Sequence, residues 1–456
     1  MSDVDLIVAG AGAAGFASAI RAAQLGASVL LAEASPTYEH GSNTSMSTSM
    51  VPAGGSRWQE QQDIEDSPEV FRGDIRRKTK GTADETVLHA LTDIAPELVA
   101  WLADACDVPL ELVTDFRYPG HSTDRCHAVA DRSGRTLLRH LGAALRSHPA
   151  ATLVAPLRLD DVIVEDGKVV GGVLRTPDGN VEEVRSRAGV VLATNGYGAD
   201  ADLVRRLVPE IAEGVYHGGD GSRGDALRIG ERIGAGTAQL GAYQGHGALA
   251  VPHNVLLTWA TVMHGGVIVN TDGKRFDDET IGYSEYGARV LAQPGRTAWV
   301  IFDGRIHEAC QPFADYQDLL SQGAVRWAEG LSALAGIVGA PEDALASTLE
   351  GVERSARGED ADAFGRTAFG GPLVAPYAAV RVTGALFHTQ GGLLVDSDAR
   401  VLTPTLEPIP GLYAAGGAAV GMSGEGASGY LAGNGLLSAL GLGYLAGRHA
   451  VGVPVA

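Results

Sequence analysis

Three glycines, Gly10, Gly12 and Gly15, stand at the spacing of a dinucleotide-binding turn, and Glu33 follows 18 residues after the last of them. The chemistry open to this set is the holding of a pyrophosphate and a ribose. Gly10 permits the tight turn, Gly12 lets phosphates reach the backbone, and Gly15 lets a helix pack closely on a strand, with Ala14 as the small residue between. An acid at the place of Glu33 accepts hydrogen bonds from a ribose hydroxyl. Two later turns have similar character: Thr194-Asn195-Gly196, and Gly433-Asn434-Gly435 ahead of Leu436. A helix opening at Gly433 would present a positive dipole end, which favours negative charge gathering on a reduced ligand.

The elements that must position these residues follow from the pattern around them. The apolar run 5–9 reads as a buried parallel strand, 16–25 as the helix after it, and 28–32 as a second strand. Strand, turn, helix, strand and acid in that order predict a Rossmann-like unit and an ADP-containing cofactor. In the stretch 34–59 small and hydroxyl side chains dominate, Ala34, Asn43, Thr44, Ser45 and Ser47 among them, which suits backbone laid against a flat ligand. Residues 84–147 carry apolar positions at helical spacing and read as covering helices.

From 153 to 194 the period changes to two. Strand-like runs at 162–164, 169–174 and 181–184 are separated by Asp166-Gly167 and Asp178-Gly179, both strong hairpin signals. A separate buried run, 189–194, delivers the turn at Asn195. Nucleotide-type turns flanking a β-meander suggest a flavin-binding scaffold. Gly219, Gly221 and Gly224 match the glycine spacing again, but a poor strand precedes them and no acid follows near 243, so a structural turn opening a helix at Asp225 is expected. Residues 241–387 lack such turns and read as an inserted domain; 1–240 and 388–456 then form the two parts of a discontinuous first domain.

Bulk composition excludes several classes. The 456 residues carry a formal charge of −20, against nucleic acid and anionic membranes as partners. The 62 glycines are about twice the usual share without a collagen-like period. Cys106, Cys126 and Cys310 are scattered, so a disulfide framework, an iron–sulfur site or any metal site is not expected. Asp3 and Asp5 occupy the place where a signal peptide carries positive charge, and the apolar run 431–447 is interrupted by Asn434, Ser438 and glycines. A cytoplasmic protein without a membrane span is expected.

With these segments assembled, the chain resembles the flavoprotein family of fumarate reductases, succinate dehydrogenase flavoproteins, urocanate reductases and 3-ketosteroid dehydrogenases, closer to the ketosteroid-dehydrogenase-like branch. The resemblance rests on the first glycine turn, Ala193-Thr194-Asn195-Gly196, the run 269–276 ahead of Glu279, His388-Thr389-Gln390-Gly391-Gly392, and Gly411 through Gly416. It implies FAD, an α/β fold with a discontinuous Rossmann-like FAD domain, and an inserted α+β capping domain. Relatives that attach FAD covalently do so through a histidine before a threonine; Asn43 precedes Thr44 here, which implies non-covalent FAD. The resemblance places Tyr283 and Tyr430 where fumarate reductases have arginines, and Thr258-Trp259 where they have a threonine–glutamate pair. The two histidines that touch substrate correspond to His246 and His388.

Arginine clamps a carboxylate bidentately, and two tyrosines cannot replace two such clamps. A dicarboxylate is therefore disfavoured. Phenols suit another reaction: one donates a hydrogen bond to a ketone oxygen, and a second, with a lowered pKa, removes the α-proton while the β-hydride goes to flavin N5. By resemblance Tyr283 is the base and Tyr430 polarises the carbonyl, with His388 or His246 orienting substrate or assisting the proton relay. The expected activity is α,β-dehydrogenation of a ketosteroid or smaller cyclic ketone. The alternatives are a fumarate- or urocanate-type ene-reductase acting on an unsaturated acid, and a flavin electron-transfer subunit that needs a partner; the electron acceptor is not specified by the sequence.

Overall fold

The computed structural model describes residues 3–115 and 117–452. The glycine turn lies where strand β1 (Val4–Ala9) meets helix α1 (Ala13–Gln24), and β2 (Val29–Ala32) returns beside β1 in parallel register, Leu6 opposite Val29 and Ala9 opposite Ala32. Every residue of β2 is buried, as a strand covered on both faces requires.

These strands lie in an eight-stranded sheet. Its main path runs Arg400–Leu402, Pro408–Ala414, Val181–Leu192, β1, β2, Ala151–Val154, and all but the first pairing are parallel. The meander expected from the Asp-Gly turns is present as Arg158–Glu165, Lys168–Arg175 and Val181–Leu192 in antiparallel sequence. Two runs read separately, 181–184 and 189–194, belong largely to one twelve-residue strand. Its first half pairs with the meander and its second half with β1, so one strand ties both layers together.

The region 84–147 does hold covering helices, Glu85–Cys106 and Gly134–Arg146. Between them, contrary to the all-helical expectation, the short strands Leu110–Leu112 and Cys126–Val129 pair with each other and, through the latter, with Val51–Pro52. The glycine stretch at 219 opens the helix Asp225–Arg232 from Gly224, whose φ is +76°.

Two units emerge. The first comprises 1–208, 218–244 and 388–456; the second comprises 209–217 and 245–387. The stretch 209–217, read in sequence with the first domain, groups with the second because Val215 and Tyr216 pair in parallel with Ala385 and Leu386. The second unit is built on the sheet path Val255–Leu256, Tyr243–Ala250, Tyr377–Thr389, Thr297–Asp303, Val267–Val269. Helices Leu331–Val338 and Glu342–Ala356 contribute Leu334, Val338, Leu345 and Val352 to its core, with Val267, Trp299 and Ile301 from the sheet. Among the described residues, no helix is long and apolar enough to cross a membrane, and no cluster of His, Cys, Asp and Glu is arranged to hold a metal ion.

Candidate functional site

In the first unit the glycine turn is forced by contact as well as conformation. Gly10 has φ +106°, and a Cβ there would lie 2.4 Å from the Ala193 carbonyl oxygen. A Cβ on Gly15 would lie 1.7 Å from the Gly10 carbonyl oxygen. The N-cap of α1, Gly12, has no side chain to offer the first turn. One first-turn donor, the Ala13 N–H, is taken by Thr44 Oγ1 at 3.0 Å. Glu33 accepts from the Ala11 N–H at 2.6 Å and the Ser35 N–H at 2.7 Å, so its carboxylate is fixed beside the turn.

The hydroxyl-rich segment is held by its own side chains. Ser45 Oγ donates to the Ser42 carbonyl and Ser47 Oγ to the Thr44 carbonyl, each at 2.7 Å. Asn43 Oδ1 accepts from the Gly219 N–H at 2.6 Å, which gives the second glycine stretch a structural role. Ala34 is exposed. At the next turn Asn195 has φ +64° and accepts from the Gly196 N–H at 2.9 Å, while the buried Thr194 Oγ1 has no partner among the described residues.

The helix Asn434–Ala450 starts from Gly433 (φ +83°) without a side-chain cap, and the buried Asn434 Oδ1 is also unpartnered among the described residues. Gly416 (φ +65°) packs toward this helix: a Cβ on it would meet Ala14 Cβ at 3.3 Å and Ala439 Cβ at 3.5 Å. His388 sits against the helix start, with a Cβ on Gly435 falling 2.8 Å from its Cε1. Enclosure lowers the His388 imidazole to about 4, the Thr389 carbonyl opposing the shift. Tyr430, 9 % exposed, stands edge-on to it with ring centroids 5.9 Å apart.

In the second unit His246 lies mid-strand in Tyr243–Ala250, and Tyr283 opens the helix Tyr283–Leu291. Glycines bring these two elements together. A Cβ on Gly247 would meet Tyr286 Cβ at 2.8 Å, and one on Gly287 would meet the His246 backbone N at 3.2 Å. Ser284 Oγ accepts from the Gly245 N–H at 3.0 Å and fixes the register. The result is a column of rings: Tyr283 stacks on His246 at 5.1 Å, His246 on Phe387 at 5.3 Å, and His217 adjoins Phe387 at 5.2 Å. Trp259 meets His246 edge-on at 5.5 Å. Burial, and secondarily His217, push the His246 imidazole down to about 3. Its Nδ1 accepts the Ala248 N–H at 3.0 Å, so the neutral ring carries its proton on Nε2.

The segment ahead of Tyr283 is locked by buried charge. Arg275 grips Glu279 with two bonds of 2.7 Å and reaches Asp362 at 2.5 Å; Arg366 adds 3.1 Å to the same glutamate. The Glu279 and Arg366 side chains are 0 % exposed, and Glu279 also accepts the Ile268 N–H. This network fixes the turn that delivers Tyr283. Tyr286 is wholly buried, and burial raises its phenol far above the ordinary range, which makes it a packing residue, whereas Tyr283 is only half-buried. Arg381, the one arginine near His388 in sequence, is exposed.

His217, Phe387 and the placement of Trp259 leave no signal in the sequence pattern. They come from three separated segments, so no local pattern could have grouped them.

Residues 5–436 match the family described as FAD binding domain. The chain belongs to that family. It is the FAD-dependent oxidoreductase family that includes fumarate reductases and 3-ketosteroid dehydrogenases. A NADH:fumarate oxidoreductase of Klebsiella pneumoniae (strain 342) is 29% identical over 450 residues, covering 98% of this chain and 47% of that protein. The chain thus spans about half the length of that relative. The 4-oxocyclohexanecarboxylate 2-dehydrogenase of Sinomonas cyclohexanicum is 31% identical over 395 residues, 74% of this chain and 64% of that protein. The fold is similar to a 3-ketosteroid-Δ4-(5α)-dehydrogenase from Rhodococcus jostii RHA1, with a TM-score of 0.79, 26% identity, and coverage of 99% of this chain and 97% of that chain.

FAD is the cofactor, and the first unit fits it on its own geometry. Two helices begin from glycine N-caps that supply no side-chain acceptor, which leaves first-turn N–H donors beyond Ala13 for negative charge. Two buried polar atoms, Thr194 Oγ1 and Asn434 Oδ1, need partners that the described residues do not provide.

Proposed function

We propose that the protein desaturates the carbon–carbon bond beside the carbonyl of a compact cyclic ketone, one that carries a carboxylate as the compound named for the Sinomonas relative does. The observation that carries this reading is Tyr283: a phenol, half-buried, at a helix start, stacked on a neutral histidine. The first-turn N–H groups of that helix favour the negative charge a phenolate base needs.

FAD is held non-covalently: the Gly10–Gly15 turn with Thr44 takes the pyrophosphate, Glu33 a ribose hydroxyl, Asn43, Ser45, Ser47 and Thr194 to Gly196 the intervening chain, and Gly433 to Leu436 the pyrimidine end. When bound it supplies the acceptor for the hydride leaving the β-carbon. Tyr283 removes the α-proton, and Tyr430 donates its phenol hydrogen to the ketone oxygen, stabilising the enolate as it forms. His246 and His388 orient substrate. Burial lowers both imidazoles and favours their neutral form, which suits fixed hydrogen-bonding groups.

The test is Tyr283→Phe. It keeps the stacked ring and FAD, and slows flavin reduction by a cyclic ketone by roughly 10²- to 10⁴-fold, the usual contribution of a general base. Reduction at the wild-type rate refutes the assignment.

A second reading is supported by the Klebsiella relative: the same residues run in reverse, reducing an unsaturated acid. It predicts that chemically reduced enzyme is reoxidised, without oxygen, by fumarate or urocanate.

A further inference from the structure

Trp259 is only 5 % exposed, yet its indole N–H has no hydrogen-bond partner among the described residues. Leaving a buried donor unpaired is unfavourable, and folded proteins leave few such groups without a reason. The surroundings indicate the reason. Trp259 stands at 90° to the His246 ring and 6.3 Å from the Tyr283 ring, so the orphaned donor belongs to the same cluster as the proposed base. His246, with Nδ1 occupied by the Ala248 N–H, is a second donor through Nε2.

An indole N–H donates and never accepts, and so does the protonated nitrogen of a neutral imidazole. Two neutral donors in one aromatic cluster suit an acceptor that can take more than one hydrogen bond. A carboxylate offers two oxygens and about four such sites, and bonds to an ionised acceptor are roughly twice as strong as neutral ones. Position 283, whose ring lies 6.3 Å from Trp259, is a tyrosine and not a cation. A carboxylate at this cluster would be met by neutral donors.

We propose that Trp259 is a specificity-determining residue that touches substrate, its indole N–H donating to a carboxylate oxygen remote from the carbon–carbon bond that reacts. This deepens the reading above and rests on it for the identity of the substrate as an oxo acid. Trp259→Phe removes the donor and keeps the ring.

The experiment is calorimetric titration of the FAD-loaded enzyme, under argon, with cyclohexanecarboxylate, which has no ketone and cannot be desaturated by this route, and with 4-oxocyclohexanecarboxylate. Trp259→Phe weakens both by about tenfold or more, the worth of one charge-assisted hydrogen bond. Unchanged affinity in the variant overturns the proposal, as does failure of the wild type to bind either compound. Should the variant lose FAD, the wild type alone decides: the methyl ester of 4-oxocyclohexanecarboxylate binds about tenfold more weakly than the acid, and equal affinity overturns the proposal. Failure of the dehydrogenase reading looks different, because both acids then bind while the flavin stays oxidised.

Discussion

Gly435→Ala separates catalysis from stability in a single methyl group. The new Cβ would lie 2.8 Å from His388 Cε1 and 2.9 Å from Nε2. Carbon atoms pack at about 3.5–4.0 Å, so the imidazole must recede by roughly 0.7 Å or more. Gly435 is not in the left-handed region, and it lies in the first turn of Asn434–Ala450, so alanine fits the backbone. Alanine exceeds glycine in helix propensity by about 1 kcal/mol in a helix interior, which offsets part of the crowding. The variant should therefore fold and melt within a few degrees of the wild type. The displaced ring also disturbs its edge contact with Tyr430. A misplacement near 1 Å can cost about 10²-fold in rate. Anaerobic stopped-flow measurement of flavin reduction, taken per bound flavin, should show a loss of roughly 10- to 100-fold. Reduction at the wild-type rate would mean that His388 does not orient substrate, and the proposed role would fall.

Further outcomes follow from the same geometry. His121, His127 and His388 are lowered to about 4 and His246 to about 3 from 6.5, in each case chiefly by burial. Below pH 6.5 the unfolded chain then binds more protons than the folded one, so stability is full above that value and is lost as pH falls toward 4; melting several degrees lower at pH 5 than at pH 7.5 is expected, and a flat profile contradicts it. Glu279→Ala leaves Arg366 without its carboxylate and Arg275 with Asp362 alone, and should cost about 3–5 kcal/mol in denaturant unfolding; a loss under about 1 kcal/mol would show that the network does not hold the turn before Tyr283. Acid precipitation should release all the flavin into the supernatant, whereas yellow pellet protein would point to a covalent bond.

The first unit was largely legible in the sequence because its signals are local. Gly10, Gly12 and Gly15 announce a strand-to-helix turn, and Asp166-Gly167 and Asp178-Gly179 announce hairpins whose strands are long enough to show their period. Leu110–Leu112 and Cys126–Val129 went unseen because three or four residues are too few to display alternation between two strongly helical stretches. The single strand 181–192 looked like two because its polar middle, Arg185 to Arg187, lies where pairing passes from the meander to β1. The candidate residues Tyr283 and His246 were named from resemblance, but their stacking through Gly247 and Gly287, and the unsatisfied Trp259 N–H beside them, depend on side-chain packing that no spacing rule encodes.

The most direct test of the central claim is whether a saturated cyclic ketone reduces the bound flavin. Mixed without oxygen, the wild-type enzyme and 4-oxocyclohexanecarboxylate should bleach the visible absorbance of the oxidised flavin, with the unsaturated ketone appearing in equal amount to the flavin reduced. A flavin that stays oxidised with this compound and with other cyclic ketones, in enzyme whose reduced form is reoxidised by fumarate or urocanate, would contradict the account and assign the protein to the reduction of unsaturated acids.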